Sequence, residues 1–294
     1  MGCGDTLLTL SANAKINLTL DILGTRADGY HEVAMIMQEI SLHDTLSMGK
    51  INQGISLTIA IEGQQGTLPA DESNLCWKAA ALVQKEYNLQ EGVEIHLIKR
   101  IPMAAGLAGG SADAAAVLKG MNHLFQLGMT EARLCELGAK LGSDIPFCIM
   151  GGTMLATGRG EVLTRLPGFP RLSVVLAKPP VGVSTAWAYK TYDAGYDGPH
   201  PDNEAMLAAI HEGDAHKAAG LLCNVLEGVT ETEHPVIADY KRLMLEHGAM
   251  ASMMSGSGPT VFGLVREKQQ AWHLADTLKK YDGEAGVFVA ETLG

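Results

Sequence analysis

The amino-acid sequence predicts an α+β fold, and three of its features support this prediction. Segments in which apolar and polar residues alternate, typical of half-buried strands, occur early in the chain. Segments with helical spacing follow, in an order that does not repeat a regular strand–helix–strand unit. Two glycine-rich turns, at residues 106–110 and 256–258, each adjoin such a segment. The irregular order favours α+β over a doubly wound parallel sheet.

The first half of the chain predicts three strands and three helices. Residues 14–22 carry an apolar side chain at every even position and residues 55–61 at every odd position, and residues 93–97 alternate in the same way. Helical spacing covers residues 73–87, 111–125 and 130–141. The first helix is predicted between an N-cap at Ser73 and a stop at Asn88. The third is predicted between an N-cap at Thr130 and a stop at Gly142.

Residues 166–170, with two prolines and a glycine, interrupt both periods and predict a domain boundary. We therefore expect an N-terminal domain over residues 1–166 and a C-terminal domain over residues 167–294. The C-terminal part predicts a strand at residues 172–177, a polar loop at 193–203, several helices over 204–247, and a second glycine-rich turn at 253–260 that leads into a strand at 261–265.

Composition excludes several classes of protein. The 294 residues are 47% hydrophobic, but no apolar run approaches the roughly 20 residues of a membrane helix. The net charge of -11 and the dispersed basic residues argue against a nucleic-acid partner. His211 and His216 are five apart, a spacing that predicts surface residues rather than helical metal ligands. The five cysteines contain no C-x-x-C pair, which predicts neither disulfides nor a zinc site and favours the cytoplasm: Cys3, Cys76, Cys135, Cys148 and Cys223.

The segment 101–116, IPMAAGLAGGSADAAA, lies between a predicted strand and a predicted helix. Closely spaced backbone N–H groups at a helix N-terminus favour phosphate binding. The glycines are not followed by the Lys-Ser/Thr of a P-loop, and their spacing is not that of a dinucleotide fingerprint. The alternative is a tight turn before an alanine-rich helix that packs closely against a sheet.

The chain resembles the GHMP kinase superfamily in the second glycine-rich turn and in four further segments: residues 14–18 (AKINL), 26–32 (RADGYHE), 102–115 and 142–147 (GSDIPF). The resemblance implies a two-domain GHMP kinase fold with an N-terminal ribosomal protein S5 domain 2-like part, a C-terminal ferredoxin-like α+β part, and an active site in the cleft between the domains. It also implies an ATP-dependent small-molecule kinase with Mg²⁺ as cofactor.

The resemblance further implies site residues. The catalytic pair would be Lys15 and Asp144. A phosphate-binding loop would consist of Pro102, Met103, Ala104, Ala105, Gly106, Leu107, Ala108, Gly109, Gly110, Ser111 and Ala112. Asn74 and Lys99 would lie near the adenine, and the Ser111 hydroxyl would be a magnesium ligand. Family members often carry glycine at positions 104, 105 and 108, so alanine makes this loop stiffer, although we expect phosphate binding to survive.

The Asp28–Gly29–Tyr30–His31 segment narrows the resemblance to a branch that phosphorylates the 2-hydroxyl of a substrate with a cytidine diphosphate handle, in the non-mevalonate route to isoprenoid precursors. Tyrosine and histidine can stack on a cytosine ring and hydrogen-bond to it. The implied substrate-binding residues are Asn17, Tyr30, His31, Thr185 and Tyr189. Alternatives are a homoserine or mevalonate type of kinase, and a non-catalytic ligand sensor on the same fold. We expect a monomer or weak homodimer with no membrane partner.

Overall fold

The structure, a computed structural model, describes residues 7–294, so Cys3 lies outside it. Within these residues the chain forms two compact units that interleave along the sequence. Unit 1 comprises the described residues up to Ala14 together with His43–Ile101 and Ala108–Met150, and unit 2 comprises Lys15–Leu42, Pro102–Leu107 and Gly151–Gly294. A boundary at residue 166 would divide the sequence only once, whereas each of the two units contains several separate segments. This boundary stays a prediction.

The secondary-structure elements are defined by the following bounds. The strands are β1 Leu8–Thr25, β2 His31–Ile51, β3 Ile55–Ile61, β4 Gly92–Lys99, β5 Thr153–Thr157, β6 Val162–Arg165, β7 Ser173–Lys178, β8 Cys223–Asn224, β9 Ala251–Met254, β10 Val261–Val265 and β11 Gly286–Glu291. The helices are α1 Leu75–Glu86, α2 Gly109–Leu124, α3 Glu131–Ala139, α4 Ile145–Met150, α5 Thr185–Asp193, α6 Asn203–Glu212, α7 Ala215–Ala219, α8 Val225–Glu233, α9 Val236–Glu246 and α10 Lys268–Tyr281.

Unit 1 is a sheet covered by helices. The C-terminal half of β2 pairs antiparallel with β4, and β3 pairs parallel with β4. Helices α1 and α2 pack against each other, and α4 packs against both α2 and α3. The run Ala114–Leu118 of α2 is fully buried, because its small side chains allow close packing within the core.

Unit 2 contains a four-stranded antiparallel sheet in the order β11-β7-β10-β9. Numbered within the sheet, this is the order 4-1-3-2 of a ferredoxin-like arrangement. The central strands β7 and β10 are nearly continuous apolar runs, as strands buried on both faces require. Helix α10 covers one face with Ala271, Leu274, Ala275 and Leu278, which recur at helical spacing. The ferredoxin-like prediction is confirmed.

Three further strand pairings lie in unit 2. The C-terminal half of β1 pairs parallel with the short β8 through Thr19 and Leu20. The N-terminal half of β2 pairs with β5, which in turn pairs with β6. These pairings build the layer from which the predicted site residues of β1 and β2 project.

The predicted elements are confirmed, mostly with small shifts at their ends, although β1 begins at Leu8 rather than at the predicted residue 14. Asn74, not Ser73, caps α1, because its Oδ1 accepts the Cys76 N–H at 2.8 Å while the Ser73 hydroxyl bonds to Asp71. Helix α2 begins two residues before the predicted start, and α3 ends at Ala139 rather than Leu141. The prediction did not include β2, β5, β6, β8, β9, β11, α4, α5 or α10.

Candidate active site

The first glycine-rich turn is held by Gly106 in unit 2. Its φ of +73° lies in the left-handed region, and a Cβ here would overlap the carbonyl oxygen of Ser255. The Gly106 carbonyl accepts hydrogen bonds from Lys15 Nζ at 3.1 Å and from the Ser255 hydroxyl at 3.0 Å. Glycine is therefore required where the two glycine-rich turns and the predicted catalytic lysine meet.

Lys15 is buried, although it projects from a strand whose neighbouring positions are apolar. Its side chain is 4% exposed, and its Nζ donates to Asn17 Oδ1 at 2.7 Å. The Lys15 backbone N–H donates to the carbonyl of Leu107 at 3.2 Å, which ties β1 to the loop. Burial against two neutral oxygens excludes a solvated strand residue, the alternative that the sequence alone would allow.

The second glycine-rich turn, residues 253–260, is fixed by contacts with α8. Asn224, the N-cap of α8, donates from Nδ2 to the carbonyls of Met254 at 2.9 Å and Gly256 at 2.8 Å. Glu227 accepts the Met254 N–H at 2.6 Å and pairs with Lys241. Burial raises the pKa of Glu227 against the lowering effect of Lys241. No sequence pattern indicates Asn224 or Glu227, because they act through backbone groups distant in sequence.

The N-terminus of α2 lies in unit 1. Its cap residue Ala108 has a φ of +56° and offers no side chain to the first-turn N–H groups. These amides are therefore available to an anion in a way that a serine or aspartate cap would prevent. A Cβ on Gly109 would lie 2.8 Å from Lys99 Nζ and 2.9 Å from Ile101 Cγ2. Gly109 is thus required by packing, and Ser111 follows it on the half-buried first turn.

Lys99 forms a buried cluster with Asp44 and Asp113. Its Nζ donates to Asp113 Oδ2 at 2.7 Å and to Asp44 Oδ2. The other oxygen of Asp44 accepts the N–H groups of Arg100 at 2.5 Å and Ile101 at 2.8 Å, which fixes the end of β4. Asp113 Oδ1 is buried without a hydrogen-bond partner within residues 7–294. The cluster thus joins β2, the end of β4 and the first turns of α2.

Burial and the charges of this cluster shift the pKa values of Asp113 and Lys99. Burial raises the pKa of Asp113 to about 8, opposed by Lys99 and reinforced by Asp44. For Lys99, burial lowers the pKa, but the two carboxylates outweigh burial and the pKa is raised. One ammonium between two carboxylates therefore favours a proton on Asp113. Neither aspartate was predicted from the sequence, although an acidic residue within an alanine-rich helix is a signal that could have indicated Asp113.

Asp144 and Asn74 also lie in unit 1. Asp144 is half-buried in the turn before α4, and its carbonyl accepts the Cys148 N–H at 3.1 Å. Asn74 uses Oδ1 to cap α1 and donates from Nδ2 to the Pro69 carbonyl at 2.8 Å. The pairing of Asp144 with Lys15 and the adenine contacts of Asn74 and Lys99 stay predictions.

The Asp28–His31 segment closes the turn between β1 and β2. Tyr30 N–H donates to Asp28 Oδ1 at 3.1 Å, and the Tyr30 side chain is 57% exposed beneath the guanidinium of Arg159, 5.0 Å from the ring centroid. His31 packs against Tyr189, with ring centroids 4.8 Å apart. Thr185 bonds to the Ser257 hydroxyl at 2.9 Å. Unit 2 therefore brings His31 and Tyr189 together and links Thr185 to the second glycine-rich turn.

Further sequence predictions concern membrane spans, cysteines and metal ligands within residues 7–294. None of the helices there is long and apolar enough to span a bilayer. None of the four cysteines of this range forms a disulfide, and His211 and His216 are exposed as predicted. No group of three or more histidine, cysteine, aspartate or glutamate side chains in this range could hold a metal ion. Asp113 is not an acidic partner for Ser111, because its carboxylate is buried against Lys99.

Comparisons with known sequences extend over nearly the whole chain. Models of the GHMP kinases N-terminal domain and of the GHMP kinases C-terminal region match residues 74–152 and 206–282. A protein of Acetivibrio thermocellus named 4-diphosphocytidyl-2-C-methyl-D-erythritol kinase is 48% identical over 286 residues, 97% of this chain and 99% of the relative. A protein of the same name from Geobacillus kaustophilus is 46% identical over 98% of this chain and 97% of its own.

Solved structures show the same relationship. A crystal structure of 4-(cytidine 5'-diphospho)-2C-methyl-D-erythritol kinase superposes with a TM-score of 0.83 at 32% identity, covering 98% of this chain and all of the other. A homoserine kinase from Cytophaga hutchinsonii superposes with a TM-score of 0.77 at 20% identity, covering 100% of this chain and 96% of its own, and shares the fold. The chain belongs to the GHMP kinase family.

Proposed function

We propose that this protein transfers the γ-phosphoryl group of ATP to the 2-hydroxyl of 4-diphosphocytidyl-2-C-methyl-D-erythritol. The observation that carries the proposal is the meeting of Lys15 and the two glycine-rich turns at the Gly106 carbonyl. A buried ammonium at a glycine-rich turn suits a site that neutralises phosphate charge. The relatives named for this substrate match the chain over 97% and 98% of its length.

Lys15 would stabilise the negative charge of the phosphoryl group while this group is transferred. In a loose phosphoryl-transfer transition state, negative charge is spread over the equatorial oxygens, so a fixed cation stabilises it more than it stabilises the ground state. Asn17 and the Gly106 carbonyl hold Nζ in one place by two hydrogen bonds. This arrangement supports a positioned cation that needs no reorganisation during the reaction.

Asp144 would receive the proton of the substrate hydroxyl. As the bond between the γ-phosphorus and the ADP oxygen breaks, the bond to the 2-hydroxyl oxygen forms and the proton passes to the Asp144 carboxylate. Because the nucleophile keeps its proton until late in a loose transition state, orientation of the hydroxyl would be the main contribution of Asp144.

ATP would be held by the first glycine-rich segment, residues 102–112, with its phosphates toward the N-terminus of α2. Mg²⁺, when bound, screens the phosphate charge. Ser111 is the protein ligand that we propose for it, with the phosphates and water as the other ligands. Asn74 and Lys99 remain proposed neighbours of the adenine, and in Lys99 the contact would involve the aliphatic stem, since its ammonium is paired.

The cytidyl handle would bind at Tyr30, His31, Tyr189 and Thr185. The 57% exposure of Tyr30 leaves its ring available for stacking, and stacking on a base contributes about 1 to 3 kcal/mol. His31 and Tyr189 already form one aromatic surface. We also propose a cytoplasmic protein that is a monomer or weak homodimer, without a nucleic-acid or membrane partner.

The proposal is tested by ADP release from purified protein with ATP and Mg²⁺. Three acceptors are compared: the cytidyl-methylerythritol compound, homoserine and mevalonate. We expect turnover with the first alone. Turnover with homoserine or mevalonate but not with the cytidyl compound would favour another kinase of the family, and nucleotide binding without turnover of any acceptor would favour a ligand sensor.

The matched variants are Asp144→Asn and Asp276→Asn. The first should lower kcat by at least about 10²-fold while the Kd of ATP changes little. The second removes the same charge from an exposed position on α10 and should leave both values unchanged. Retention of turnover in Asp144→Asn would contradict the role of Asp144.

A further inference from the structure

Asp193 of α5 lies against the imidazole of His31. Its Oδ1 is 2.8 Å from His31 Nε2, and the His31 side chain is only 14% exposed. Tyr189 lies one helical turn earlier on α5, at the i−4 position, and packs on the same ring at 4.8 Å. One face of α5 therefore fixes both the plane and the edge of the His31 ring.

Helix stability does not account for an acidic residue at position 193. Asp193 is the last residue of α5, where the helix dipole disfavours negative charge. Asp193 is not an N-cap. Within residues 7–294, its side chain forms a hydrogen-bonded ion pair with His31. The placement is accounted for by the contact with His31.

The contact selects one form of the neutral imidazole. An ionised carboxylate only accepts hydrogen bonds, so the hydrogen between the two groups belongs to Nε2 of His31. Nδ1 then carries a lone pair and is a hydrogen-bond acceptor. A partner for Nδ1 must therefore be a donor.

We propose that Asp193 is a positioning residue that makes His31 select cytosine over uracil. The inference rests on the proposed function, in which His31 contacts the base of the cytidyl handle. Cytosine presents an exocyclic N4 amino donor at the place where uracil presents the O4 acceptor. A lone pair on Nδ1 attracts the amino group and repels the carbonyl oxygen. The carboxylate of Asp193 thus determines which base is accepted, without touching the base.

The first test is independent of activity and uses the full-length protein without ligand. Long-range proton–nitrogen NMR correlations distinguish the two imidazole tautomers, and the His31 signals are assigned by their loss in His31→Gln. We expect the Nε2–H form in the wild type at neutral pH and a change in that pattern in Asp193→Asn, since the amide can present an N–H to Nε2. The Nδ1–H form in the wild type would overturn the inference.

The second test compares the cytidyl substrate with its uridyl analogue. In Asp193→Asn we expect the cytidyl-to-uridyl ratio of kcat/KM to fall about tenfold, the value of one hydrogen bond, through the KM of the cytidyl substrate and not through kcat. Asp197→Asn, which removes an exposed charge four residues along the chain, should keep the wild-type ratio. An unchanged ratio in Asp193→Asn would overturn the inference, whereas absence of turnover in the wild type would contradict the proposed function instead.

Discussion

Nζ of Lys15 lies 2.7 Å from Oδ1 of Asn17, two positions along β1 on the same face of the strand. The two side chains are buried together, and Asn17 Nδ2 in turn approaches Met35 Sδ at 3.5 Å. The lysine is thus held by a neighbour that the strand period dictates.

Replacement of Lys15 by methionine keeps the volume of the side chain and removes its charge. We expect Lys15→Met to lower kcat by about 10²-fold or more, since the transition state loses a positioned cation. Single-turnover kinetics measures the phosphoryl-transfer step, and titration with ATP measures nucleotide binding separately. Lys140→Met, at an exposed lysine 4.0 Å from Glu86, is the matched control and should keep wild-type kcat. Equal turnover in the two variants would contradict this role of Lys15.

Gly106→Ala is expected to destabilise the protein and to weaken ATP binding. The new Cβ would overlap the Ser255 carbonyl at a φ of +73°, so the backbone of one of the two turns must move. Alanine at a positive φ alone disfavours the folded state by about 1 kcal/mol. In Gly110→Ala the nearest atom to the Cβ is Leu75 Cδ1 at 3.5 Å, so the melting temperature should hardly change. A Gly106→Ala protein that melts at the wild-type temperature would contradict the close approach.

Ala104→Gly should stabilise the protein. Ala104 has a φ of +48°, a region that glycine adopts without strain, so glycine should raise the free energy of unfolding by up to about 1 kcal/mol. Ala105 has no such backbone conformation and is buried, so Ala105→Gly should lower it by about 1 kcal/mol. Urea denaturation of both variants checks the opposite signs, and the same sign in both would count against strain at Ala104.

Asp113→Asn should change how stability depends on pH. Because the pKa of Asp113 is raised from 3.8 to about 8, the folded state binds its proton more tightly than the unfolded state does. Its contribution to stability is therefore fully present below pH 3.8 and is lost as the pH rises to about 8. Relative to the wild type, the free energy of unfolding of Asp113→Asn should increase across this window, by an amount on the order of a few kcal/mol.

The matched variant for this prediction is Asp44→Asn. Asp44 accepts two backbone N–H groups as well as the Lys99 ammonium, and an amide cannot replace all three bonds. We expect a loss of about 3 kcal/mol at neutral pH. Denaturation between pH 3.8 and pH 8 compares the two variants. A wild-type slope that persists in Asp113→Asn would show that another group titrates in this window.

The sequence predicted those parts of the fold that depend on local patterns. The strand at Ile55–Ile61 and the cap at Thr130 follow from a two-residue period and from a hydroxyl next to free N–H groups. The long strand His31–Ile51 was not predicted from the sequence. Its two halves pair with different strands, β5 and β4. In addition, its polar residues are buried by partners distant in sequence, as Gln38 is by Thr153.

The sequence by itself determined that two glycine-rich turns, a lysine in an apolar strand and a Tyr-His pair belong to a kinase of the GHMP family. Only the tertiary structure decided what surrounds them: Ser255 and Lys15 at the Gly106 carbonyl, two aspartates around Lys99, and Asp193 at His31. The physical reason is the range of the interactions. Periodicity, capping and backbone preference act within a few residues of the chain, whereas the direction of a buried charge or the tautomer of an imidazole is set by groups 14 to 162 residues away in sequence.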